Sequence, residues 1–157
     1  MNSDGNPLDQ WVVLRIQNTE YALPVRSVVE VLRMVALAAM PEAPPWIAGL
    51  LNLRGKGILV MNLRQRLGLP ALAPDLNTPI VVLEACGEPF GLIADEVVEI
   101  VALSRDAFKP VEQLPGSSGL LTAIAHAGER LILILDVDRL GSVAAAPQPP
   151  EASYFGA

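Results

Sequence analysis

The stretch that decides the fold runs from Ile47 to Gly68 and reads IAGLLNLRGKGILVMNLRQRLG. It contains two short apolar runs, Gly49–Leu53 and Ile58–Met61, each with the length and composition of a β-strand. The glycines between them, Gly55 and Gly57, are interpreted as turn residues with positive φ. The centre of the chain is therefore predicted to form two strands joined by a tight turn.

The rest of the chain repeats this pattern of short apolar runs separated by turn residues. The chain has 14 Pro and 12 Gly, which favours many turns and few long helices. Further strands are predicted at Trp11–Gln17, Tyr21–Leu23, Ile80–Ala85, Phe90–Ala94, Ile100–Leu103, Leu120–Ala125 and Leu131–Leu135. Short helices are predicted at Pro24–Arg33, from an Asn62 cap to Gly68, from an Asp95 cap over Glu96–Glu99, and at Asp136–Leu140 ending at Gly141. These elements indicate a mainly β chain made of small barrels.

The sequence also contains an internal repeat. Three blocks recur in the same order: Tyr21–Leu32 as Phe90–Val101 at an offset of 69, Gly49–Leu51 as Gly119–Leu121 at 70, and Val60–Leu63 as Ile134–Val137 at 74. We infer two copies of one unit of roughly 65 residues, each small for an independent domain. The two copies are therefore expected to pack together.

Composition excludes several classes of protein. With 11 basic and 17 acidic residues the net charge is −6, which argues against nucleic-acid binding. The single cysteine, Cys86, precludes an internal disulfide, and the single histidine, His126, leaves no His/Cys cluster for zinc. No metal and no cofactor are expected. The chain is 52% hydrophobic, and such a surplus often marks contact between proteins.

No segment of the sequence looks like a membrane span or a signal peptide. A cytoplasmic protein without direct membrane insertion is therefore expected. Residues 1–10 are predicted to be a flexible N-terminus, and residues 11–141 one domain with units at about 11–76 and 77–141. The Ala/Pro-rich residues 142–157 are predicted to be a disordered tail, in which Tyr154 and Phe155 are either a docking motif or featureless.

Arg54 stands out because it lies in an apolar segment and the repeat places Ile124 opposite it. An arginine in such a place must be hydrated, paired or directed at a partner. Two readings stay open on the residues alone: an internal ion pair with Glu30, and contact with another molecule. Glu30 itself recurs as Glu99, which indicates that its position is structural in origin.

Nothing in the sequence supports catalysis. Cys86 precedes a turn glycine and His126 stands beside a second turn, so a pairing of the two as nucleophile and base rests only on each being single. Asp136 and Asp138 are two residues apart, and Asp136 is explained as a helix cap. No phosphate-binding loop, dinucleotide fingerprint or zinc-protease motif occurs. The protein is expected not to be an enzyme.

The stretch Ile47–Gly68 resembles the signature of the CheW family, the coupling proteins of bacterial chemosensory systems. The resemblance extends over Trp11–Leu140 and includes the blocks Tyr21–Leu32, Gly91–Val97 and Glu129–Leu140 in the family's order. It implies a fold of two intertwined SH3-like five-stranded β-barrels with short helices. The sequence departs from the family's usual pattern at two places, with Leu59 instead of Pro and Asn62 instead of Asp.

The resemblance implies a scaffold that binds the regulatory domain of a CheA-type histidine kinase and the cytoplasmic tip of chemoreceptors, in the cytoplasm at membrane-associated receptor arrays. It favours partner contact over purely internal pairing for Arg54. By motif match, the implied receptor-binding residues are Val28, Glu30, Gly49 and Arg54. The implied kinase-binding residues are Gly91 and Val97.

The sequence leaves three alternatives to this adaptor open. The two departures suggest an adaptor of a chemosensory pathway other than swimming, one that controls pili or a second messenger. The apolar composition allows a small β-barrel that binds an apolar ligand between its two units. A hydrolase that uses Cys86 and His126 is the remaining alternative, and it requires the two side chains to lie together.

Overall fold

The computed structural model describes residues 9–110 and 119–145. The strands are β1 (Asp9–Ile16), β2 (Thr19–Pro24), β3 (Val28–Arg33), β4 (Ile47–Leu53), β5 (Lys56–Asn62), β6 (Pro79–Ala85), β7 (Glu88–Ile93), β8 (Glu96–Leu103), β9 (Phe108–Pro110), β10 (Leu121–Ala127) and β11 (Arg130–Leu135). The helices are α1 (Leu63–Arg66) and α2 (Val137–Ala145), and short 3₁₀ turns cover Val25–Ser27 and Arg105–Ala107.

The strands form two sheets, and each sheet contains strands from both sequence units. The six-stranded sheet has the order β8-β1-β2-β11-β10-β9, and the five-stranded sheet has the order β3-β6-β7-β5-β4. Each sheet thus joins the first hairpin of one unit to the remaining strands of the other. The chain passes between the sheets twice, through Val25–Ser27 after β2 and through Ala94–Asp95 after β7. The expected intertwined, mainly β fold is confirmed.

The extra strand of the larger sheet is β9, which the sequence did not predict. It pairs with β10 over three residues. In the smaller sheet the matching contact is a single bridge between Ala38 and Leu50 on β4. The two sheets therefore differ at their last edge and otherwise share one plan.

The core consists of three apolar layers rather than two. Strand β1 shows why: Val12, Leu14 and Ile16 face a layer shared by both sheets, whereas Trp11 and Val13 face the interior of the six-stranded sheet. Strand β6 alternates in the same way between the shared layer and the interior of the five-stranded sheet. A strand buried on both faces needs an unbroken apolar run. This third layer accounts for the apolar composition.

The repeat is confirmed at two of its three offsets. The hairpin β1–β2 matches β6–β7 at an offset of 69, and the pairing of β3 with β6 matches that of β8 with β1. The hairpin β4–β5 matches β10–β11 at an offset of 74, with a bulge at the same place in each. The offset of 70 is wrong: the counterpart of Gly49 is Ala123, and that of Arg54 is Gly128 rather than Ile124.

Two of the predicted helices are wrong. The segment Pro24–Arg33 forms only one 3₁₀ turn before β3, and Glu96–Glu99 begins β8. The apolar residues of this segment, Val25, Val28, Val29 and Leu32, have helical spacing. Three of them are valines, however, and β-branched side chains favour extended backbone. In β3, exposed and half-buried residues alternate, which is the pattern of a strand with one covered face.

The two remaining helices form at the expected places. Asn62 caps α1, since its side chain accepts a hydrogen bond from the Gln65 amide at 3.1 Å, so Asn replaces the family's usual Asp without loss of the cap. Asp136 caps α2 in the same way, accepting from the Arg139 amide at 3.0 Å. The other departure, Leu59, lies on β5 opposite Leu50.

Helix α2 does not end at Gly141 but continues to Ala145. An added Cβ at Gly141 would lie 2.7 Å from the Ala85 Cβ atom, so this glycine permits close packing instead of terminating the helix. The first four residues of the predicted tail are thus helical. The rest of the tail, with Tyr154 and Phe155, lies outside the described residues, as do residues 1–8; residues 9 and 10 already belong to β1.

Candidate functional site

The structure brings together Glu30 and Arg54, two of the four residues expected to bind a receptor. Glu30 lies on β3, and Arg54 lies in the turn between β4 and β5. Nη2 of Arg54 donates to Oε2 of Glu30 at 2.8 Å. The arginine side chain is still 71% exposed, so most of its donors face solvent. The internal pair and a partner contact are therefore compatible.

The backbone at Arg54 adopts an unusual conformation for a residue with a side chain. Arg54 has φ 53° and Gly55 has φ 85°, which is the pattern of a type I′ hairpin turn. The Asn52 side chain accepts from the Gly55 amide at 2.9 Å and supports the turn. Gly57, which was expected to share this role, lies inside β5 without a positive φ. The turn fixes the arginine at the tip of the hairpin.

β3 and the residues that follow it expose apolar side chains, but they are not those that the sequence singled out. Val28 is half-buried and packs against the shared layer. Val29, Val31 and Val35 are about half exposed, at 52%, 47% and 48%. The sequence interpretation missed them because it placed this segment in a helix. The alternation of a half-buried strand was the signal that could have found them.

Gly49 is buried and shapes the site without being available for contact. Its φ is 151°, and an added Cβ would lie 2.5 Å from the carbonyl oxygen of Ala38. The chain at Leu37–Ala38 therefore crosses β4 so closely that no side chain fits between them. This glycine therefore determines the path of Leu37–Ala38 across β4.

The residues expected to bind a kinase lie on both sides of the second crossover. Gly91 is buried in β7, where an added Cβ would lie 3.0 Å from Val60 and 3.1 Å from Ile80. Val97 on β8 is half-buried and packs against the shared layer. The two residues therefore influence any partner through the shape of the strands more than through exposed side chains.

The second unit carries its own ion pair on the matching strand. Arg130 donates to Glu99 at 2.7 Å and to Glu20 at 2.9 Å. Arg15 lies 3.7 Å from Glu20 and also pairs with Glu96. The hydrogen bond to Glu20 outweighs the effect of burial and raises the pKa of Arg130 above its usual range, and the bond to Glu99 raises it further. These five charges form one network.

The features required by the alternatives are not assembled. Cys86 lies in the turn between β6 and β7, and His126 lies on β10 of the other sheet. The space between the sheets is filled by the shared apolar layer. A cavity of about 230 Å³ beside α1 is lined by residues of both units, and polar side chains such as Asn62, Arg64 and Asp95 contribute to its lining. Within residues 9–110 and 119–145, no group of three potential metal ligands occurs.

Comparison with known proteins is consistent with this architecture. A family model described as the CheW-like domain matches residues 10–144. The chemotaxis protein CheW of Helicobacter pylori is 27% identical over 138 residues, covering 87% of this chain and 84% of the relative. The protein of the same name from Bacillus subtilis is 26% identical, covering 88% of this chain and 93% of its own length. Protein PilI of Pseudomonas aeruginosa is 29% identical over 68% of this chain and 58% of its own.

Among solved structures, the scaffolding protein TtCheW from Thermoanaerobacter tengcongensis is similar with a TM-score of 0.77. It is 29% identical in sequence, and the match covers 83% of this chain and 90% of that one. In the part of the chain that the structure describes, none of the helices is long and apolar enough to cross a membrane. From the match over residues 10–144, together with the intertwined sheets, we conclude that the chain belongs to the CheW-like family.

Proposed function

We propose that this protein is a non-enzymatic adaptor that couples chemoreceptors to a CheA-type histidine kinase in a bacterial chemosensory array. The observation that carries the proposal is the family match over residues 10–144. The solved relative TtCheW is itself named a scaffolding protein. Scaffolding requires surfaces rather than a reactive centre, and an exposed charged tip beside an apolar strand is such a surface.

The receptor surface in this proposal is the hairpin tip with Arg54 and Glu30, together with β3. The half-exposed Val29 and Val31 supply apolar area, and the free donors of Arg54 supply hydrogen bonds. The occupant is the cytoplasmic helical tip of a chemoreceptor. Val28 and Gly49 support this surface from beneath, because Val28 packs inward and Gly49 determines the path of the chain.

The kinase surface in this proposal is the segment from Gly91 to Val97, and its occupant is the regulatory domain of the kinase. This segment connects the two sheets, so a partner bound there contacts both of them. Both partners act in the cytoplasm, so the adaptor is expected there as well. The relatives described above that carry the name chemotaxis protein favour chemotaxis over a non-swimming pathway. An apolar ligand between the units is not favoured, since side chains fill that layer.

The proposal is tested by retention of the purified chain on a cognate receptor fragment and on the kinase regulatory domain. Binding of both at micromolar concentrations is expected, and retention by neither would refute the adaptor function. Arg54→Ala is then expected to weaken receptor binding and leave kinase binding unchanged. Lys56→Ala is the matched control, because Lys56 is a second exposed cation of the same hairpin with no ion pair among the described residues.

A further inference from the structure

The second crossover between the sheets, which lies within the proposed kinase surface, carries a cluster of hydrogen-bonded charged side chains. Asp95 lies between β7 of the five-stranded sheet and β8 of the six-stranded sheet. The sequence predicted that it caps a helix, but it has other partners. Its Oδ1 atom accepts from Nε of Arg64 at 2.9 Å, and its Oδ2 atom accepts from the backbone amide of Gln17 at 2.8 Å.

These bonds connect three parts of the chain that are distant in sequence. Gln17 belongs to the turn after β1, and Arg64 belongs to α1, which follows β5 of the other sheet. Nη1 of Arg64 also donates to the carbonyl of Pro70 at 3.2 Å, and the Asp95 amide donates to the carbonyl of Arg15 at 3.1 Å. We call Asp95, Arg64 and the Gln17 amide the crossover clasp.

The clasp is more shielded from water than the other ion pairs of the described residues. The side chains of Arg64 and Asp95 are 13% and 24% exposed, whereas those of Arg54 and Glu30 are 71% and 25% exposed. A part-buried pair with additional hydrogen bonds is screened less by solvent than an exposed one. The clasp can therefore hold the Asp95 backbone in a fixed position relative to α1 and the turn after β1.

At the first crossover, the positions that match Asp95 and Arg64 carry side chains of the opposite charge, and no clasp forms there. At the offset of 69 the counterpart of Asp95 is Arg26, and at the offset of 74 the counterpart of Arg64 is Asp138. Both residues are exposed, and neither takes part in an ion pair among the described residues. Among the described residues, charged side chains tie the second crossover and not the first.

We propose that the crossover clasp positions the Gly91–Val97 segment for the kinase regulatory domain, with Arg64 and Asp95 as positioning residues that do not contact the partner. This inference rests on the proposed function, because it concerns the kinase surface of the adaptor. Asp95 lies inside that segment, between the buried Gly91 and the half-buried Val97. When the clasp is released, β7 and β8 can shift relative to each other, and a partner that contacts both strands loses complementarity.

The decisive test compares two paired carboxylates in the full chain. Asp95→Asn removes the negative charge of the clasp, and Glu99→Gln removes the negative charge of an exposed pair on β8, outside the kinase surface. We expect Asp95→Asn to weaken binding of the kinase regulatory domain by about tenfold and to leave receptor binding within about twofold. Glu99→Gln is expected to change neither affinity by more than about twofold.

A conservative variant separates positioning from a general loss of structure. Asp95→Glu keeps a carboxylate that can accept from Arg64 and from the Gln17 amide, and it should retain most of the kinase affinity. Faster hydrogen exchange of the Gln17 amide in Asp95→Asn would report the opened clasp directly. If Asp95→Asn fails to fold, Arg64→Lys replaces it, because lysine keeps the charge but not the planar fork of donors.

Three outcomes would overturn the inference: equal effects of Asp95→Asn and Glu99→Gln, equal losses of kinase and receptor affinity, or equal losses of kinase affinity in Asp95→Asn and Asp95→Glu. None of these outcomes touches the adaptor function, because the unaltered chain would still bind both partners. Failure of the unaltered chain to bind either partner would instead refute the proposed function. The two failures are therefore distinguishable in one set of measurements.

Discussion

The two units place an acid at the same position but pair it in different ways. Glu30 and Glu99 occupy matching positions on β3 and β8. Glu30 pairs with Arg54 in a hairpin turn, and Glu99 pairs with Arg130 at the start of a strand. The counterpart of Arg54 is Gly128, and the counterpart of Arg130 is Lys56. The two matching acids thus pair with cations at two different positions of the hairpin.

The difference separates an arginine whose charge is used within the fold from one whose charge remains exposed to solvent. Arg130 is held by two carboxylates within a network that includes Arg15, so its Nε and Nη1 donors serve the fold. Arg54 has a single acid partner and is 71% exposed. An isolated surface pair adds little stability. Stability alone therefore does not explain Arg54, which favours the proposed partner contact.

The largest expected effect distinguishes the two hairpins at their matching bulges. Gly49→Ala should destabilise the protein by about 3 kcal/mol, because the new Cβ meets the Ala38 carbonyl and φ is 151°. Its counterpart change, Ala123→Gly, should cost only about 1 kcal/mol through backbone entropy and lost packing. Urea unfolding of both variants measures the difference. A stable Gly49→Ala protein that binds receptor poorly would instead indicate direct contact at this position.

Arg54 and Arg130 should show reciprocal effects on binding and stability. Arg54→Ala should lower receptor affinity about tenfold, or about 1.4 kcal/mol, with little change in unfolding free energy. Arg130→Ala should leave receptor affinity unchanged and reduce stability by about 1 kcal/mol, because Glu20 and Glu99 lose their shared partner. Calorimetric binding and denaturant unfolding of both variants test this. Similar behaviour of the two variants would remove the distinction drawn here.

Salt should reduce the structural contribution of the network. Raising ionic strength from about 0.05 M to about 0.5 M should narrow the stability gap between the unaltered protein and Arg130→Ala by about 0.5 kcal/mol. The corresponding gap for Arg54→Ala should stay near zero at both salt concentrations. Chemical unfolding at the two salt concentrations provides the measurement. If the stability gap for Arg130→Ala does not change with salt, packing of the side chain dominates its contribution.

Alkaline pH should have the smallest effect. Folding raises the pKa of Arg130, chiefly through its hydrogen bond to Glu20, so its contribution is fully present below the unfolded pKa and is lost only as pH rises through the folded value. The stability gap for Arg130→Ala should therefore stay constant between about pH 7 and about pH 10. A gap that shrinks within this range would assign the contribution to a different titrating group.

Much of the fold could be predicted from the sequence because most strands are buried on at least one face. The unbroken apolar run in β6 and the capped α1 are strong local signals. The failures at β3 and β8 both fall on edge strands with mixed exposure. The valines of β3 have helical spacing, and Asp95 before β8 was interpreted as a helix cap. The exchange of hairpins between sheets followed only from the family resemblance, because strand partners are not visible in local patterns.

Less of the candidate site could be predicted. Glu30 and Arg54 were found because a charged residue in an apolar run requires a partner. The alignment of Arg54 with Ile124 failed because leucine-rich blocks match at several offsets, and the bulges that decide the register are visible only in the pairing. The crossover clasp joins residues 31 apart, so proximity in sequence gave no hint. The exchange of charge between Asp95 and Arg26 was the available signal.

The exchange of the first hairpins makes this chain a swapped dimer within one polypeptide. Neither half of the chain contains all the strands of a sheet. Separating the halves would remove two strands from each barrel and expose the shared apolar layer. The halves are thus obligate partners, and the molecule should unfold in one transition. In the described part of the chain, no flexible linker separates the two barrels. When a bound partner displaces one barrel, the other barrel is therefore expected to move with it.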